Sequence, residues 1–286
     1  MPGVTETVAV VTDSTASLPA EVAGEAGLTV VPLAVAVNGV EGLEGVDVTP
    51  ADVARALADR RAAVTTSRPA PARFAEVYQR LLDCGAGAVV SVHLSTKLSG
   101  TLEAAALAAR DFDGRVQVVD SRSTGMGLGF VALAAAEAAH GGDARAAREA
   151  AEHAVARTSA FFYVDTLEYL RRGGRIGAAS ALLGNALSVK PILYVSDGEI
   201  VVRDRVRTTS RALARLVDLA VEAAGSSTVD VAVHHLGAAD RAAELADRMA
   251  ERLGGRLRRR YVTEVGAAVG AHVGPGMACV VVHAVD

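Results

Sequence analysis

Tryptophan is absent from the 286 residues, and aromatic side chains make up only 3% of them. A chain this poor in aromatics does not bind its ligand mainly by stacking against bases or sugar rings. Only two cysteines occur, Cys84 and Cys279, far apart and in no metal-ligand spacing. That excludes a disulfide scaffold and a thiolate zinc site. Neither sign of charge dominates. The formal net charge is -4, which excludes the broad basic field of a nucleic-acid-binding surface. The short run Arg258-Arg259-Arg260 leads into Tyr261-Val262 and reads as a solvated strand entrance. No apolar stretch reaches about 18 residues free of charge or turn residues, and the first residues lack a secretory pattern. A cytoplasmic, soluble protein is expected.

What is present is aliphatic. Hydrophobic residues are 51% and charged residues 22%, so the chain can bury a sizeable core of alanine, valine and leucine. The length suits one large domain or two of ordinary size. Short apolar runs alternate with helical patterns. Strands are expected at 8–12, 28–37, 88–94 and 116–119, and helices at 49–60, 72–82, 101–110, 127–140 and 144–158. This alternation predicts an α/β fold with a sheet that is parallel in large part. From Phe161 the texture changes. A strand at 161–164, a hairpin around Asp197-Gly198, a helix to Ala224 and strands at 229–234, 257–262 and 279–285 follow. Another helix is expected at 239–253. The reading is two packed α/β domains, 1–159 and 160–286. The first is an open, mostly parallel sheet flanked by helices, and the ligand lies in the inter-domain region.

Residues 165–191 read D-T-L-E-Y-L-R-R-G-G-R-I-G-A-A-S-A-L-L-G-N-A-L-S-V-K-P. A helical segment ends in Arg171-Arg172, two glycines follow, then Arg175, then an apolar helix of small residues before Lys190-Pro191. Two readings are open. Gly173 and Gly174 can form a plain C-cap with a solvated arginine behind it, or they can fix Arg175 in a direction suited to an anion. Hydroxyl-rich segments recur where strands feed helices: 12–15, 65–69, 95–101 and 120–123. Ser, Thr and Asp there serve either as N-caps or as ligand donors at the carboxyl ends of strands. A further glycine-rich loop, 270–276, is expected to hold His272 at a fixed angle.

Nucleotide machinery is missing. There is no phosphate-binding G-x-x-x-x-G-K-[ST], and Gly125-Met126-Gly127-Leu128-Gly129 puts its third glycine one place early for the dinucleotide fingerprint. No G-x-S-x-G surrounds Ser99. His234 and His235 are adjacent on a strand and point to opposite faces, so they do not share a metal.

Taken together these segments resemble the DegV family, the fatty-acid-binding component of bacterial fatty acid kinase. The resemblance rests on V-T-D-S-T-A-S-L-P (11–19), T-T-S-R-P (65–69), L-S-T-K-L-S-G-T (94–101), V-V-D-S (118–121), D-T-L-E-Y-L-R-R-G-G-R-I (165–176), K-P-I-L (190–193), R-D-R-V-R-T (203–208) and G-A-H-V-G-P-G (270–276). They fall in the family's order and span nearly the whole chain. The resemblance implies a non-enzymatic carrier with no metal, cofactor or catalytic residue of its own. It buries one long-chain fatty acid of the palmitate or oleate class. It presents the carboxylate to a separate kinase catalytic subunit, giving an acyl phosphate for phospholipid synthesis. Membrane contact is transient only, and no nucleic acid is bound. Thr66, Ser99 and His272 are the implied carboxylate donors, with Ser95 and Thr96 beside them. Arg175 and Arg207 are the implied contacts to the phosphoryl group or kinase.

The chain departs from the family pattern at Arg68, where glutamine is usual, and at Ser95-Thr96, where two serines are usual. Leu102-Glu103 replaces a common Tyr-Gln, and His93 is an unusual polar residue in its strand; it is assigned no function. A different reading is a dihydroxyacetone- or sugar-binding phosphotransferase subunit whose histidine bonds the substrate covalently.

Overall fold

The computed structural model describes residues 7–59, 61–182 and 190–285. The first half runs β1 (Thr7–Asp13), α1 (Ala20–Glu25), β2 (Leu28–Val31), β3 (Ala34–Val37), β4 (Val40–Leu43), α2 (Pro50–Ala58), β5 (Val64–Ser67), α3 (Pro71–Asp83), β6 (Ala86–His93), α4 (Thr101–Ala109), β7 (Val116–Asp120), α5 (Met126–Ala139) and α6 (Ala144–Ala156). Strands β2, β1, β6 and β7 form an all-parallel sheet in that order. Its two faces follow the period of two. Val10 and Val90 pack with α5 and α6, while Val11 and Val89 pack with α3 and α4.

The run 28–37, expected as one strand, is two. Pro32 has no N–H to give to a ladder and ends β2. The chain then enters a separate antiparallel sheet ordered β4-β3-β5. Asn38 and Gly39, with φ of 53° and 82°, make the hairpin turn from β3 to β4. Residues 64–67, read from the sequence as part of a loop, are its third strand. Thr49 and Asp52 form a capping box and Pro50 occupies the first turn of α2, which ends at Ala58. The expected end at Arg60 lies outside the described residues.

The second half runs β8 (Thr158–Tyr163), α7 (Glu168–Arg172), β9 (Lys190–Ser196), β10 (Glu199–Val206), α8 (Thr209–Ala224), β11 (Val229–His235), α9 (Ala239–Leu253), β12 (Leu257–Glu264), α10 (Ala267–Val273) and β13 (Ala278–Ala284). The small-residue helix expected after Arg175 begins as a 3-10 helix at Gly177; residues 183–189 lie outside the described residues. The strands form a six-stranded sheet, β10-β9-β8-β13-β11-β12, antiparallel at every pairing but β11–β12. The expectation of a largely parallel sheet therefore holds for the first half only. The tight Asp197-Gly198 turn reverses β9 into β10, and β13 runs opposite to both its neighbours.

Helices α8 and α9 cover one face of this sheet. The other face looks toward the first half, and α5 is the element between them. Leu128, Val131 and Ala135 of α5 belong to the first core, whereas Met126 and Phe130 pack with Phe162, Ala232 and Val281 of the second sheet. A helix apolar all round is what such a position requires, and M-G-L-G-F-V-A-L-A-A-A-E-A-A has that pattern.

The segment 270–276 is not a loop throughout. α10 continues to Val273 and carries His272 in its last turn; only the residues from Gly274 leave the helix, with Gly274 and Gly276 at φ of 75° and 81°.

Candidate functional site

Between the two halves lies an apolar cavity with about 850 Å³ of atom-free space, its open mouth included. Leu33, Leu98, Phe162, Ile200, Val269 and Met277 represent its walls. Four polar side chains that line it come from separate segments: Thr66, Ser99, Arg175 and His272. Three of them, Thr66, Arg175 and His272, also line an adjoining, more polar pocket with Tyr169 and Arg172. They stand in the partition between the apolar cavity and this vestibule.

Thr66 is brought there by the alternation of β5, whose exposed Thr65 and Ser67 face away from the half-buried Thr66. Thr66 Oγ1 and His272 Nε2 are 2.9 Å apart, hydrogen-bonded across 206 positions of sequence. Burial, and next the positive charge of Arg175, push the His272 pKa down to about 4. The imidazole is therefore neutral at neutral pH and offers a hydrogen bond, not a charge. Its Nδ1 is buried with no partner among the described residues. Gly173, at φ -74°, needs no special backbone angle. It is required by space, since a Cβ there would overlap the His272 ring. Only Gly174, at φ 71°, uses the left-handed region.

Arg175 is directed by two carbonyls. Its Nε donates to Leu98 O at 3.0 Å and its Nη1 to Gly173 O at 2.6 Å. The guanidinium thus ties the turn after α7 to the loop before α4, which carries Ser99. Ser99 Oγ is 2.9 Å from Thr101 Oγ1. Thr66, Ser99, His272 and Arg175 are therefore assembled in one place.

Other expected residues are elsewhere. Ser95 is buried, and its hydroxyl donates to Gly198 O at 2.9 Å, fastening the β9–β10 turn to the first half. Thr96 donates to Asp120 at 2.9 Å. Neither is among the cavity-lining residues. Arg207 is exposed just beyond β10 and is not among the residues lining the cavity or the vestibule. Arg68 is exposed and reaches Gly100 O at 3.4 Å, beside the Ser99 loop.

Of the other polar residues of the cavity wall, Thr15 belongs to the hydroxyl-rich segment 12–15 noted in the sequence, whereas sequence reasoning missed Thr124 and gave His234 no ligand role. His234 Nε2 accepts the Met126 N–H at 2.8 Å, and burial pushes its pKa to about 4. That contact spans 108 positions, and no local pattern announces it.

His93 also has a structural explanation. Its Nδ1 is 2.9 Å from Asp13 Oδ2, and its Nε2 is 2.7 Å from Ser91 Oγ, which meets Tyr78 OH at 2.8 Å. The order Asp, His, Ser imitates a nucleophilic triad. All of these side chains are sealed in the core, and Ser91 lines neither the cavity nor the vestibule. Asp13 also accepts from Leu94 N and Thr15 N. The chain of hydrogen bonds therefore closes buried valences between β1 and β6.

Fold and site together define a class: an α/β protein of three sheets whose two halves enclose an apolar cavity lined in part by neutral hydroxyls, an imidazole and one arginine. The model of the DegV family, described as an uncharacterised protein family, matches residues 7–284, and the chain belongs to that family. A DegV domain-containing protein of Streptomyces coelicolor is 54% identical over 239 residues, 83% of this chain and 85% of that protein. A counterpart from Mycobacterium tuberculosis is 44% identical over 239 residues, 83% of this chain and 82% of its own. Among solved structures, a DegV family protein from Thermus thermophilus, described for its fatty acid binding, superposes with a TM-score of 0.91 at 34% identity, covering 98% of this chain and 100% of its own. DegV of Bacillus subtilis, described as a fatty acid binding protein, gives 0.89 at 29% identity with the same coverage.

Among the described residues no helix is long and apolar enough to cross a membrane, and no group of three or more potential metal ligands is present.

Proposed function

We propose that this chain binds one long-chain fatty acid in the inter-domain cavity, with its carboxylate at Thr66, Ser99 and His272. A separate kinase subunit then phosphorylates that carboxylate to an acyl phosphate. The observation that carries the reading is the Thr66–His272 pair at 2.9 Å in the wall of a predominantly apolar cavity. Burying a methylene is worth about 0.8 kcal/mol, so a sixteen-carbon chain supplies on the order of 10 kcal/mol before ordering is subtracted. The carboxylate needs donors, because a buried unpaired charge is costly. Ser99 can turn its hydroxyl proton to it, and the neutral imidazole, donating its Nε2–H to Thr66 Oγ1, leaves the Thr66 hydroxyl proton free for the carboxylate. A short polar ketone would leave the apolar wall bare, and His272 is already engaged with Thr66.

Two relatives described as fatty acid binding support the ligand class. The vestibule supports the kinase step. It shares Thr66, His272 and Arg175 with the cavity, so a phosphoryl group entering it would meet Arg175. Arg207, exposed and absent from the cavity lining, suits a docking contact with the partner. An acyl phosphate hydrolyses in water, and an enclosed cavity would slow that loss. Mass spectrometry of an organic extract of the purified protein tests the ligand. A stoichiometric fatty acid is expected. A protein that is empty and also fails to take up added palmitate or oleate would overturn the proposal.

A further inference from the structure

The small β4-β3-β5 sheet meets α10 at two points. Thr66 on β5 reaches His272 in the last turn of the helix. At the other end, Glu44, the residue that follows β4, accepts the backbone N–H of Ala268 at 2.9 Å. Glu44 is 6% exposed. It also accepts the hydroxyl proton of Ser14, and Ser14 Oγ in turn accepts Leu33 N–H at 2.9 Å. Ser17 Oγ accepts Gly266 N–H at 3.1 Å in the same place. Gly266 leaves no room for a side chain, since a Cβ there would overlap Glu44 Oε1.

Between these two points the packing is smooth. α10 presents Ala267, Ala268 and Ala271 to Leu33, Val35 and the α2 side chains Val53 and Leu57. Methyl groups set the distance between helix and sheet but offer little to stop the helix from sliding or turning. Hydrogen bonds have direction, and here they fix the start of the helix. Ala268 precedes His272 by four residues, a rise of about 6 Å, so an error at the first point is carried to the second.

We infer that Glu44 is a positioning residue for the carboxylate site: it anchors the start of α10 so that His272, one turn further on, meets Thr66. This rests on the reading of Thr66 and His272 as carboxylate ligands. Glu44 itself does not line the cavity. Burial raises its carboxyl above the ordinary range, against the opposing hydrogen bonds from Ser14 and Ala268. An acid kept at such a place is kept for its acceptor oxygens. Glutamine retains one acceptor for Ala268 and can donate to Ser14 Oγ, so it should substitute; alanine should not.

The test uses the full chain labelled with ¹⁵N-histidine. The ring signals of His272 are assigned with His272→Gln and followed together with palmitate affinity. Gly266→Ala and Glu44→Ala should both shift the His272 signals. Each should weaken palmitate binding about tenfold, the scale of one hydrogen bond to a charged group. Glu44→Gln should keep the signals in place and the affinity within about threefold of the parent. Gly266→Ala decides the matter if Glu44→Ala does not fold, because it displaces only the flexible end of Glu44. Unmoved His272 signals in Gly266→Ala would overturn the inference. Shifted signals with unchanged palmitate affinity would uphold the anchor and overturn the carboxylate reading instead.

Discussion

Gly173 lies directly against the imidazole of His272, with no space for a side chain between them. The turn after α7 and the last turn of α10 are therefore in backbone-to-ring contact, and Thr66 holds the same ring from β5. Gly173→Ala should push His272 away from Thr66. Its φ is ordinary for any residue, so the fold should tolerate alanine while fatty-acid affinity falls about tenfold. Titration calorimetry alongside urea unfolding separates the two effects. Unchanged affinity in a folded variant would show that the ring's position does not matter for binding.

Removing the hydroxyl without changing shape is a second probe. Thr66→Val deletes the partner of His272 Nε2 and one candidate donor to the carboxylate. A loss of about 1.5–3 kcal/mol in binding is expected for a hydrogen bond to a charged group. Ser99→Ala should cost a similar amount. Ser95→Ala and Thr96→Val should leave affinity nearly unchanged, since those hydroxyls serve Gly198 and Asp120.

Arg175→Ala separates holding from presenting. The guanidinium already spends two nitrogens on Leu98 O and Gly173 O. Retention of fatty acid should fall by less than about tenfold, while phosphorylation by the kinase partner should be lost. Measured with extracted ligand and a coupled kinase assay, an emptied cavity would reverse the assignment of roles.

Stability should fall on mild acidification. His234, His272 and His283 have folded-state pKa values pushed to about 4, chiefly by burial, from an ordinary 6.5. Between those values the unfolded chain binds protons that the folded one refuses, so the stabilisation present above 6.5 is lost as pH falls toward 4. Three protons give a slope of at most about 4 kcal/mol per pH unit. Glu44, whose carboxyl is raised, acts in the opposite sense at the acid end. Urea midpoints at pH 7, 6 and 5 would check this, and a flat profile would refute it. His234→Gln should reduce the proton uptake by about one.

Ser91 is a control for the triad-like geometry in the core. Ser91→Ala leaves His93 Nε2 and Tyr78 OH without their shared partner. It should destabilise the fold by about 1–3 kcal/mol and leave ligand affinity unaltered. Loss of binding in a folded variant would link this buried chain to the cavity.

Much of the architecture was legible because it is local. The Thr49-Pro50-x-Asp52 capping box, the Asn38-Gly39 and Asp197-Gly198 turns and the all-round apolar α5 each appear within a few residues, and each has a short-range physical cause. Where the reading failed, long-range pairing was decisive. The short polar run Val64–Ser67 becomes a strand only because Val35 and Ala36 lie beside it. The segment 270–276, read as a glycine loop, instead carries the end of the helix Ala267–Val273, which packs on Leu33, Val53 and Leu57.

The site divides the same way. The sequence by itself determined which residue types are available: neutral hydroxyls, one constrained histidine, an arginine behind two glycines, and aliphatic walls. Only the tertiary structure decided which of them meet. Thr66 and His272 are 206 positions apart, and Gly173 is required by the His272 ring, not by its own backbone angle. Ser95 and Thr96 looked equivalent to Ser99 in the chain, but the fold spends them on Gly198 and Asp120. A side chain's chemistry is fixed when the residue is chosen. Its partners depend on packing between segments, and no local pattern encodes that.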